Sequence, residues 1–279
     1  MPASNSYCIW IVTPPGYQHA HAFDEIALSL DQGLKNLGKT SFITRRPERR
    51  KARTIILGPH LLHAIPDTFV LTDSILYNLE QIYDGNYMFT HAYFDLLRRF
   101  EVWDYSDRNI EALAQFGVHV GKKCAIGYVE ALTRLPSVEE DIDVLIYGSL
   151  SERRTSIIKN LNDMGYNCRA LFNVYGSERD AMIARAKIVL NVHHYPTKIF
   201  EIVRVSYLLA NKKFVLSETS QEDEALAAVK DGIALCDYED LTSKCVSFLK
   251  APDERRRIAE RGFAIFRQQR QEEILRQIL

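Results

Sequence analysis

Residues 186–218 carry the clearest pattern of apolar and polar positions in the chain. A short β-branched run at 187–192 is repeated at 213–216, and the segment between them, from about 197 to 210, has the apolar spacing of a buried helix. Short apolar runs of this kind are typical of strands in the middle of a parallel sheet. The stretch therefore predicts a strand, a helix and a second parallel strand.

Three charged residues interrupt this otherwise apolar helix at a spacing of three: Lys198, Glu201 and Arg204. Burying a charge costs several kcal/mol unless it is paired or meets a polar ligand. One explanation is an ion pair between Glu201 and Arg204 at the sheet edge, which contributes at most about 1 kcal/mol. The other is that the start of the helix faces a ligand, because open α/β sheets bind ligands beyond the carboxyl ends of their strands and helix N-termini attract phosphate.

The alternation of short apolar runs and helical periods extends over the first half of the chain. Gly38 and Gly117 each follow a helical period, as C-terminal cap residues do. We predict strands at 7–12, 41–44, 54–57, 69–71, 74–79 and 100–103, and helices at 22–37, 92–99 and 107–116.

A linker-like segment separates this half from a second one. Residues 134–143 contain Pro136 and four acidic residues with little apolar content, which is typical of a linker. Beyond it we predict strands at 144–147, 168–172, 187–192, 213–216 and 232–236, and helices at 151–164, 178–185, 197–210, 241–249 and from 252 onward. The pattern predicts an α/β fold class with two Rossmann-like domains, 1–135 and 136–279.

The composition is that of a globular protein of 279 residues with a formal net charge of −1. This charge provides no overall attraction to nucleic acid or to an anionic membrane. One local basic run is either a solvated loop or a patch that steers an anionic acceptor or a membrane headgroup, and it comprises Arg45, Arg46, Arg49, Arg50, Lys51 and Arg53. Because aromatic residues do not interleave with these charges, the sequence has no strong nucleic-acid signal.

The five cysteines are scattered and never form a CxxC pair. This pattern favours reduced thiols and a cytoplasmic location, and it argues against a zinc site or a disulfide scaffold. No apolar run reaches the roughly 18 residues of a membrane span, and the polar N-terminus does not have the apolar core of a signal peptide. We therefore expect no targeting to another compartment.

Two stretches of the second half resemble a known enzyme family. KIFEIVRVSYLLANKKFVLSE and, further on, DGIALCDYEDLTSKCVSFLKAPDERRRIAERG are similar to the C-terminal domain of the bacterial glycosyltransferase group 1 that includes CgeB-like spore-maturation enzymes. FEVWDYSDRNIEALAQFGV with IGYVEAL is similar to the end of an N-terminal GT-B domain. The resemblance implies two Rossmann-like domains with a cleft between them, and transfer of a sugar from a nucleotide-sugar donor to an acceptor, without a metal or another cofactor.

The chain departs from the commonest retaining enzymes of this fold. Their second conserved glutamate is absent, and Ser206 stands at the corresponding position. The resemblance therefore implies that Glu201, one and a half turns earlier, binds the ribose of the donor.

Candidate donor-binding residues follow the predicted strands of the second half. Gly148 and Ser149 end the first of these strands, and Arg153 and Arg154 lie in the first turn of the next helix. Backbone N–H groups together with a guanidinium suit two adjacent phosphates, although one arginine can instead be merely solvated.

Further donor candidates lie at the ends of two other strands. Tyr175 and Gly176 either lie against the nucleotide base or only pack. Of His193 and His194, successive positions at a strand end, one is expected to face the ligand while the other packs. Arg204 can orient Glu201 or reach phosphate.

A general base for the acceptor hydroxyl has candidates in the loop after the first strand. His19 and His21 lie in this loop, and Asp24 opens the following helix. In inverting GT-B enzymes a histidine here can deprotonate the acceptor, because an ordinary imidazole pKa lies near working pH. The alternatives are that the histidines are structural, or that the leaving phosphate is the base in a retaining reaction.

Acceptor contacts are expected from Asn78, Glu80 and Gln81, which follow an apolar run, although the same residues also fit a capped helix start. The D-x-D sequence from Asp141 to Asp143 is interpreted as a decoy, because it precedes a strand, whereas metal-binding D-x-D sequences follow one. We predict no metal site.

Three functions compete at this point. The first is a glycosyltransferase with a nucleotide-sugar donor and an acceptor that is a glycan, lipid, protein or small molecule. The second is a non-catalytic nucleotide-sugar-binding protein, and the third is a sugar-nucleotide epimerase on the same architecture, because fold alone does not fix function. The charged terminal helix crosses back to the first half or rests on a membrane surface or a partner.

Overall fold

The computed structural model describes residues 5–46, 52–65, 73–83, 89–221 and 223–279. The predicted strand at 69–71 and three residues of the basic run, Arg49, Arg50 and Lys51, lie outside the described residues. The chain divides into a first unit, Met1–Ala131 with Gln269–Leu279, and a second unit, Leu132–Gln268. The domain prediction, 1–135 and 136–279, assigned the last residues to the second domain, with the alternative that the terminal helix crosses back to the first half.

The first unit contains a parallel sheet of six strands in the order β2-β1-β3-β4-β5-β6. The strands are β1 (Ser6–Ile11), β2 (Thr40–Thr44), β3 (Arg53–Leu57), β4 (Ser74–Asn78), β5 (Glu101–Asp104) and β6 (Lys122–Lys123). The helices are α1 (Asp24–Asn36), α2 (His91–Leu97), α3 (Asp107–Gln115) and α10 (Gln271–Ile278). Strands β1 and β4 are buried almost throughout, as expected of central strands with helices on both faces.

The C-terminal segment is part of the first unit. Tyr128 N–H donates to Gln269 O at 2.7 Å, and Gly127 N–H donates to Gln271 Oε1 at 2.7 Å. Ser29 Oγ–H donates to the same Gln271 oxygen at 3.2 Å, which ties helix α1 to helix α10. The residues from 252 onward form two helices rather than the single helix predicted, because the chain is extended at Arg270.

The second unit contains a parallel sheet of five strands in the order β11-β10-β9-β7-β8. The strands are β7 (Ile142–Tyr147), β8 (Cys168–Leu171), β9 (Ala186–Asn191), β10 (Val215–Glu218) and β11 (Ala234–Cys236). The helices are α4 (Glu152–Asp163), α5 (Gly176–Arg185), α6 (Ile202–Ala210), α7 (Glu224–Val229), α8 (Leu241–Leu249) and α9 (Pro252–Phe266). The predicted strand–helix–strand unit is thus β9-α6-β10, at the centre of this sheet.

Helix α6 begins at Ile202, about one turn later than the predicted start near 197. The wrong boundary has a local cause, because Lys198 has a φ of 48° and a right-handed helix requires a negative φ. The residues between β9 and α6 therefore form a loop, and Glu201 becomes the residue at the N-cap position.

All pairings within each sheet are parallel, from β1 to β6 and from β7 to β11. The carboxyl ends of the strands therefore meet at one edge of each sheet, which we call its carboxyl edge. In the part of the chain that the structure describes, no helix combines the length and apolar character needed to cross a bilayer.

Candidate functional site

Glu201 lies at the carboxyl edge of the second unit, where the loop after β9 meets the start of α6. Its Oε2 accepts a hydrogen bond from Asn191 Nδ2 at 2.8 Å, and its Oε1 lies 3.0 Å from His193 Nδ1. Only 12% of the Glu201 side chain is exposed. Two protein groups therefore fix the carboxylate plane while a small part of it still reaches solvent.

Two opposing effects act on the pKa of Glu201. Burial raises it, whereas the hydrogen bond and charge of His193, the charge of Arg204 and the hydrogen bond from Asn191 lower it, and the net result is a pKa below the ordinary value. The carboxyl group is therefore ionised at neutral pH and acts only as a hydrogen-bond acceptor.

Asn191, the last residue of β9, connects Glu201 to two other elements. Its Nδ2 also donates to Ser217 Oγ on β10 at 3.0 Å, and its Oδ1 accepts from Arg204 Nη1 at 3.1 Å. Asn191 is fully buried, so these bonds are shielded from water. Asn191 was not predicted as a site residue, although a polar side chain at the end of a buried strand is a signal that the sequence contains.

Arg204 lies against the glycine that follows β7. Its guanidinium carbon is 5.5 Å from the centre of the Tyr147 ring. Gly148 has a φ of 106°, and a Cβ at this position would lie 2.8 Å from Arg204 Nη2. A side chain at 148 would therefore be strained and would also displace the guanidinium.

Arg153 and the buried Glu218 form a two-point ion pair at the same edge. Arg153 Nη2 donates to Glu218 Oε1 at 2.9 Å and Nη1 donates to Oε2 at 3.1 Å. Lys198 Nζ lies 3.2 Å from Glu218 Oε1, and the Arg153 guanidinium is 4.0 Å from the Tyr238 ring centre. Arg153 and Lys198 each retain more than 40% exposure of the side chain, so both cations remain accessible to a ligand.

Arg154 differs from its neighbour because it is buried. Its Nη1 donates to Ser149 O at 2.6 Å, its Nε donates to Val192 O at 2.8 Å, and its Nη2 also donates to Val192 O. Burial and the nearby Arg204 lower the pKa of Arg154 to about 9. Its guanidinium thus joins the chain after β7 to the chain after β9, and of the two predicted arginines Arg153 is the exposed one.

The remaining predicted donor residues of the second unit are Ser149, Tyr175, Gly176 and His194. Ser149 after β7 and His194 after β9 are both exposed, and the His194 ring lies 4.9 Å from that of Tyr195. Desolvation and the charges of Arg154 and Arg204 lower the pKa of His194. Tyr175 precedes helix α5, and Gly176 has a φ of 58°.

The predicted base candidates of the first unit form a cluster with Arg45. His21 Nδ1 lies 2.9 Å from Asp24 Oδ2. Arg45 Nη2 donates to Asp24 Oδ1 and lies 3.0 Å from His21 Nδ1, and its Nη1 donates to Thr13 Oγ1 at 3.1 Å. His19 is placed differently, with its ring 5.3 Å from the Tyr17 ring. The structure thus pairs His21 with Asp24.

The predicted acceptor residues follow β4, and Asn78 is fully buried. Asn78 Nδ2 donates to Asp104 Oδ2 at 2.6 Å and to Glu80 O at 2.9 Å, while Tyr93 Oη–H donates to Asn78 Oδ1 at 3.2 Å. Asn109 Nδ2 donates to Asp104 Oδ1 at 3.1 Å. The Asn78 side chain therefore belongs to an internal hydrogen-bond network, and Gln81 is buried next to it.

Two carboxyl groups in this region have raised pKa values. Burial raises the pKa of Asp104 to about 7 against the opposing hydrogen bonds from Asn78, Ser106 N–H and Asn109. Burial also raises the pKa of Glu80 to about 7. Asp104 was not predicted as a functional residue, although it directly follows the predicted strand 100–103.

The D-x-D residues lie at the amino end of β7, away from the carboxyl edge of the sheet. Asp141 pairs with Arg185 at 2.6 Å, and Asp143 pairs with Lys187 at 2.7 Å. Across the ranges that the structure describes, no group of three or more His, Cys, Asp or Glu side chains is arranged to hold a metal ion.

The comparison with protein families identifies the class of this chain. The profile of a family described as glycosyl transferase-like matches residues 127–279, which include all the second-unit residues described above. The chain belongs to this glycosyl transferase-like family, and the predicted family resemblance is confirmed.

Solved structures that cover nearly the whole of this chain have a similar fold at low sequence identity. Anabaena Alr3699/HepE, determined in complex with UDP and glucose, aligns with a TM-score of 0.63 and 13% identity over 98% of this chain and 97% of HepE. Sucrose-phosphate synthase from Thermosynechococcus elongatus aligns with a TM-score of 0.62 and 12% identity over 98% of this chain and 96% of that one. The likeness extends over both units and supports the GT-B assignment of the fold.

The curated relatives are uncharacterized proteins of Acanthamoeba polyphaga mimivirus. One is 32% identical over 114 residues, which are 40% of this chain but 13% of the relative. A second is 28% identical over 202 residues, which are 70% of this chain and 69% of the relative. The chain thus covers only a small part of the first relative's own length.

Proposed function

We propose that this protein transfers a sugar from a nucleotide-sugar donor to an acceptor hydroxyl, and that the donor binds at the carboxyl edge of the second unit. The observation that carries the proposal is the ionised Glu201 carboxylate, which Asn191 and His193 hold at the start of helix α6. A fixed carboxylate is a suitable acceptor for the two hydroxyls of a ribose. The family membership supports the same reaction class.

The charges around Glu201 suit the diphosphate of such a donor. The cations at this edge outnumber the carboxylates, with Arg153, Arg154, Lys198 and Arg204 against Glu201 and Glu218. Because Arg154 is committed to backbone carbonyls, the exposed Arg153 and Lys198 are assigned to the phosphates, and Arg204 to positioning beside Gly148. Guanidinium groups bind phosphate oxygens strongly in this setting.

A uridine nucleotide is the first donor to test. Anabaena HepE was crystallised with UDP and with UDP-glucose, and it shares the fold of this chain. Tyr175, Gly176 and His194 remain predictions for contacts with the base or sugar. We propose that the reaction requires neither a metal nor another cofactor.

For the acceptor, we propose His21 as general base with Asp24 as its orienting carboxylate. The 2.9 Å approach of His21 Nδ1 to Asp24 is the arrangement in which a carboxylate holds an imidazole for proton abstraction. If the reaction retains configuration, the leaving phosphate replaces this base. Asn78, Glu80 and Gln81 remain predictions for the acceptor side, as does the cleft between the domains.

The direct test is release of nucleoside diphosphate from a panel of UDP-, GDP- and TDP-sugars. We expect slow hydrolysis of one donor and faster release when the acceptor is present. Tight binding without release would favour the non-catalytic nucleotide-sugar-binding protein. A changed sugar still attached to its nucleotide would favour the epimerase.

The role of Glu201 is tested by Glu201→Ala with Glu260→Ala as the matched control. Glu260 is an exposed residue of α9 that pairs with Lys212 at 3.2 Å. We expect Glu201→Ala to weaken donor binding by about 10- to 100-fold, as loss of hydrogen bonds to a charged group does, while Glu260→Ala leaves it unchanged. Equal donor affinity in both variants would contradict the proposal.

A further inference from the structure

His193 joins three parts of the candidate donor site through three hydrogen bonds. Its backbone N–H donates to Glu218 Oε2 at 3.1 Å, its Nδ1 lies 3.0 Å from Glu201 Oε1, and its Nε2 lies 3.1 Å from Ser220 Oγ. His193 is 2% exposed and Ser220 is 8% exposed. The row Ser220–His193–Glu201 is therefore built into the interior behind the carboxylate.

The chemistry of these groups fixes the direction of the hydrogen bond between His193 and Glu201. The ionised Glu201 only accepts, so His193 Nδ1 carries a proton and donates it. The Ser220 hydroxyl then donates to Nε2 of a neutral imidazole, or accepts from Nε2 of an imidazolium. Ser220 thus satisfies the far side of the ring in either protonation state and holds the ring orientation.

We propose that His193 and Ser220 are positioning residues that set the preference of the donor site for ribose over deoxyribose nucleotides. The inference rests on the proposed function, and it names the part of the donor that this row of residues selects. Neither residue needs to touch the nucleotide, because both act through the carboxylate of Glu201.

The selectivity follows from how the carboxylate is held. One acceptor position of each Glu201 oxygen is used, by His193 on Oε1 and by Asn191 on Oε2. Each carboxylate oxygen accepts about two hydrogen bonds, so one position on each remains for the adjacent 2′ and 3′ hydroxyls. A glutamate that rotates freely would lose conformational entropy on binding and would discriminate less between the two sugars.

The experiment compares UDP with 2′-deoxy-UDP by titration calorimetry on the full chain. For the wild type we expect UDP to bind at least about tenfold more tightly, because the deoxy analogue leaves a charged acceptor unpaired. In Ser220→Ala and His193→Phe we expect this ratio to fall toward one, mainly through weaker UDP binding. In His193→Asn we expect the ratio to be largely retained, because the Asn Nδ2 replaces His Nδ1 as donor.

The control for the serine substitution is Ser243→Ala, at an exposed position of α8, which should leave the ratio unchanged. A parallel loss of affinity for both nucleotides in Ser220→Ala and His193→Phe would indicate a merely structural role and overturn the inference. An unchanged ratio, or a wild type that does not discriminate, would also overturn it. If the wild type binds none of UDP, GDP and TDP, the proposed function itself fails, and the inference fails with it.

Discussion

His60 is a buried histidine whose neutral form the fold requires. It follows β3 in the first unit, is 5% exposed, and has the rings of Phe23, Phe89 and Tyr93 within 6.5 Å. Its Nδ1 makes no hydrogen bond with any part of the chain that the structure describes. Burial, and to a lesser degree His63, lowers the pKa of His60 from 6.5 to about 4.

This shift makes the first unit less stable in mild acid. A lowered histidine pKa means that the unfolded chain binds the proton first, so stability is complete above the unfolded pKa and falls as pH decreases toward the folded pKa. Between about pH 8 and about pH 5, a shift from 6.5 to about 4 lowers the free energy of unfolding by about 2 kcal/mol. Below about pH 4 the loss levels off, because His60 is then protonated in both states.

The two tryptophans allow this loss to be measured in the first unit alone. Trp10 on β1 and Trp103 on β5 are both buried there. We expect urea unfolding followed by tryptophan fluorescence to give a wild-type stability that falls by about 2 kcal/mol relative to His60→Phe between about pH 8 and about pH 5. The matched control is His119→Phe, at an exposed position of the first unit, which should parallel the wild type.

The comparison with His60→Phe is necessary because other groups of the same unit titrate in this range. The raised pKa of Asp104, about 7, acts with the opposite sign, since it stabilises the fold below the unfolded pKa and loses this effect as pH rises. The difference between variant and wild type removes such contributions. Equal pH slopes for the wild type and His60→Phe would refute the reasoning.

Three further changes test other parts of the structure. Asp104→Asn places an amide N–H₂ against that of Asn78, so we expect the free energy of unfolding to fall by about 2 kcal/mol in the same fluorescence assay. We also expect stability to fall less than in the wild type between about pH 4 and about pH 7. An unchanged pH slope would count against a raised pKa of the buried Asp104 carboxyl group. Gly148→Ala should lower the free energy of unfolding by about 1–2 kcal/mol in a thermal melt and should also weaken UDP binding. The control is Gly165→Ala, where φ is 90° and no atom lies within 4 Å of the added Cβ. This control should lower thermal stability but leave UDP binding unchanged. Glu218→Gln should lower the free energy of unfolding by about 3 kcal/mol in a urea titration followed by circular dichroism. The reason is that the N–H donors of Arg153 and His193 would then face an amide instead of a carboxylate. A loss below about 0.5 kcal/mol would contradict this role of Glu218.

The periodicity of the sequence predicted the strands of the two sheets except β6, which is only two residues long. The β-branched runs of β9 and β10, and the apolar face of α6, are local signals, because buried parallel strands need apolar residues on both faces. The start of α6 was predicted too early because the left-handed Lys198 leaves no mark in an apolar pattern. Boundaries of this kind depend on loop contacts rather than on periodicity.

The sequence indicated Glu201 as a candidate site residue, but it did not indicate which residues hold its carboxylate. Glu201 was expected either to pair with Arg204 or to face a ligand, whereas the structure gives it hydrogen bonds to Asn191 and His193. These contacts bring the end of β9 and the start of the following loop against the residue that precedes α6, over separations of 10 and 8 positions, so no helical spacing encodes them. The partners of the base candidate His21 could not be read from the sequence either, because Arg45, which donates to Asp24, lies 21 positions further along the chain.

The last eleven residues have a consequence for how the protein is made. Since Gln269–Leu279 complete the first unit, and Leu275 is fully buried in it, a ribosome must translate the whole intervening segment before that unit can close its hydrophobic interior. Expression of residues 1–131 alone would yield a fragment with an uncovered apolar surface, prone to aggregation. The second unit, by contrast, is one continuous stretch of the chain, so its hydrophobic interior does not depend on a segment from elsewhere in the sequence.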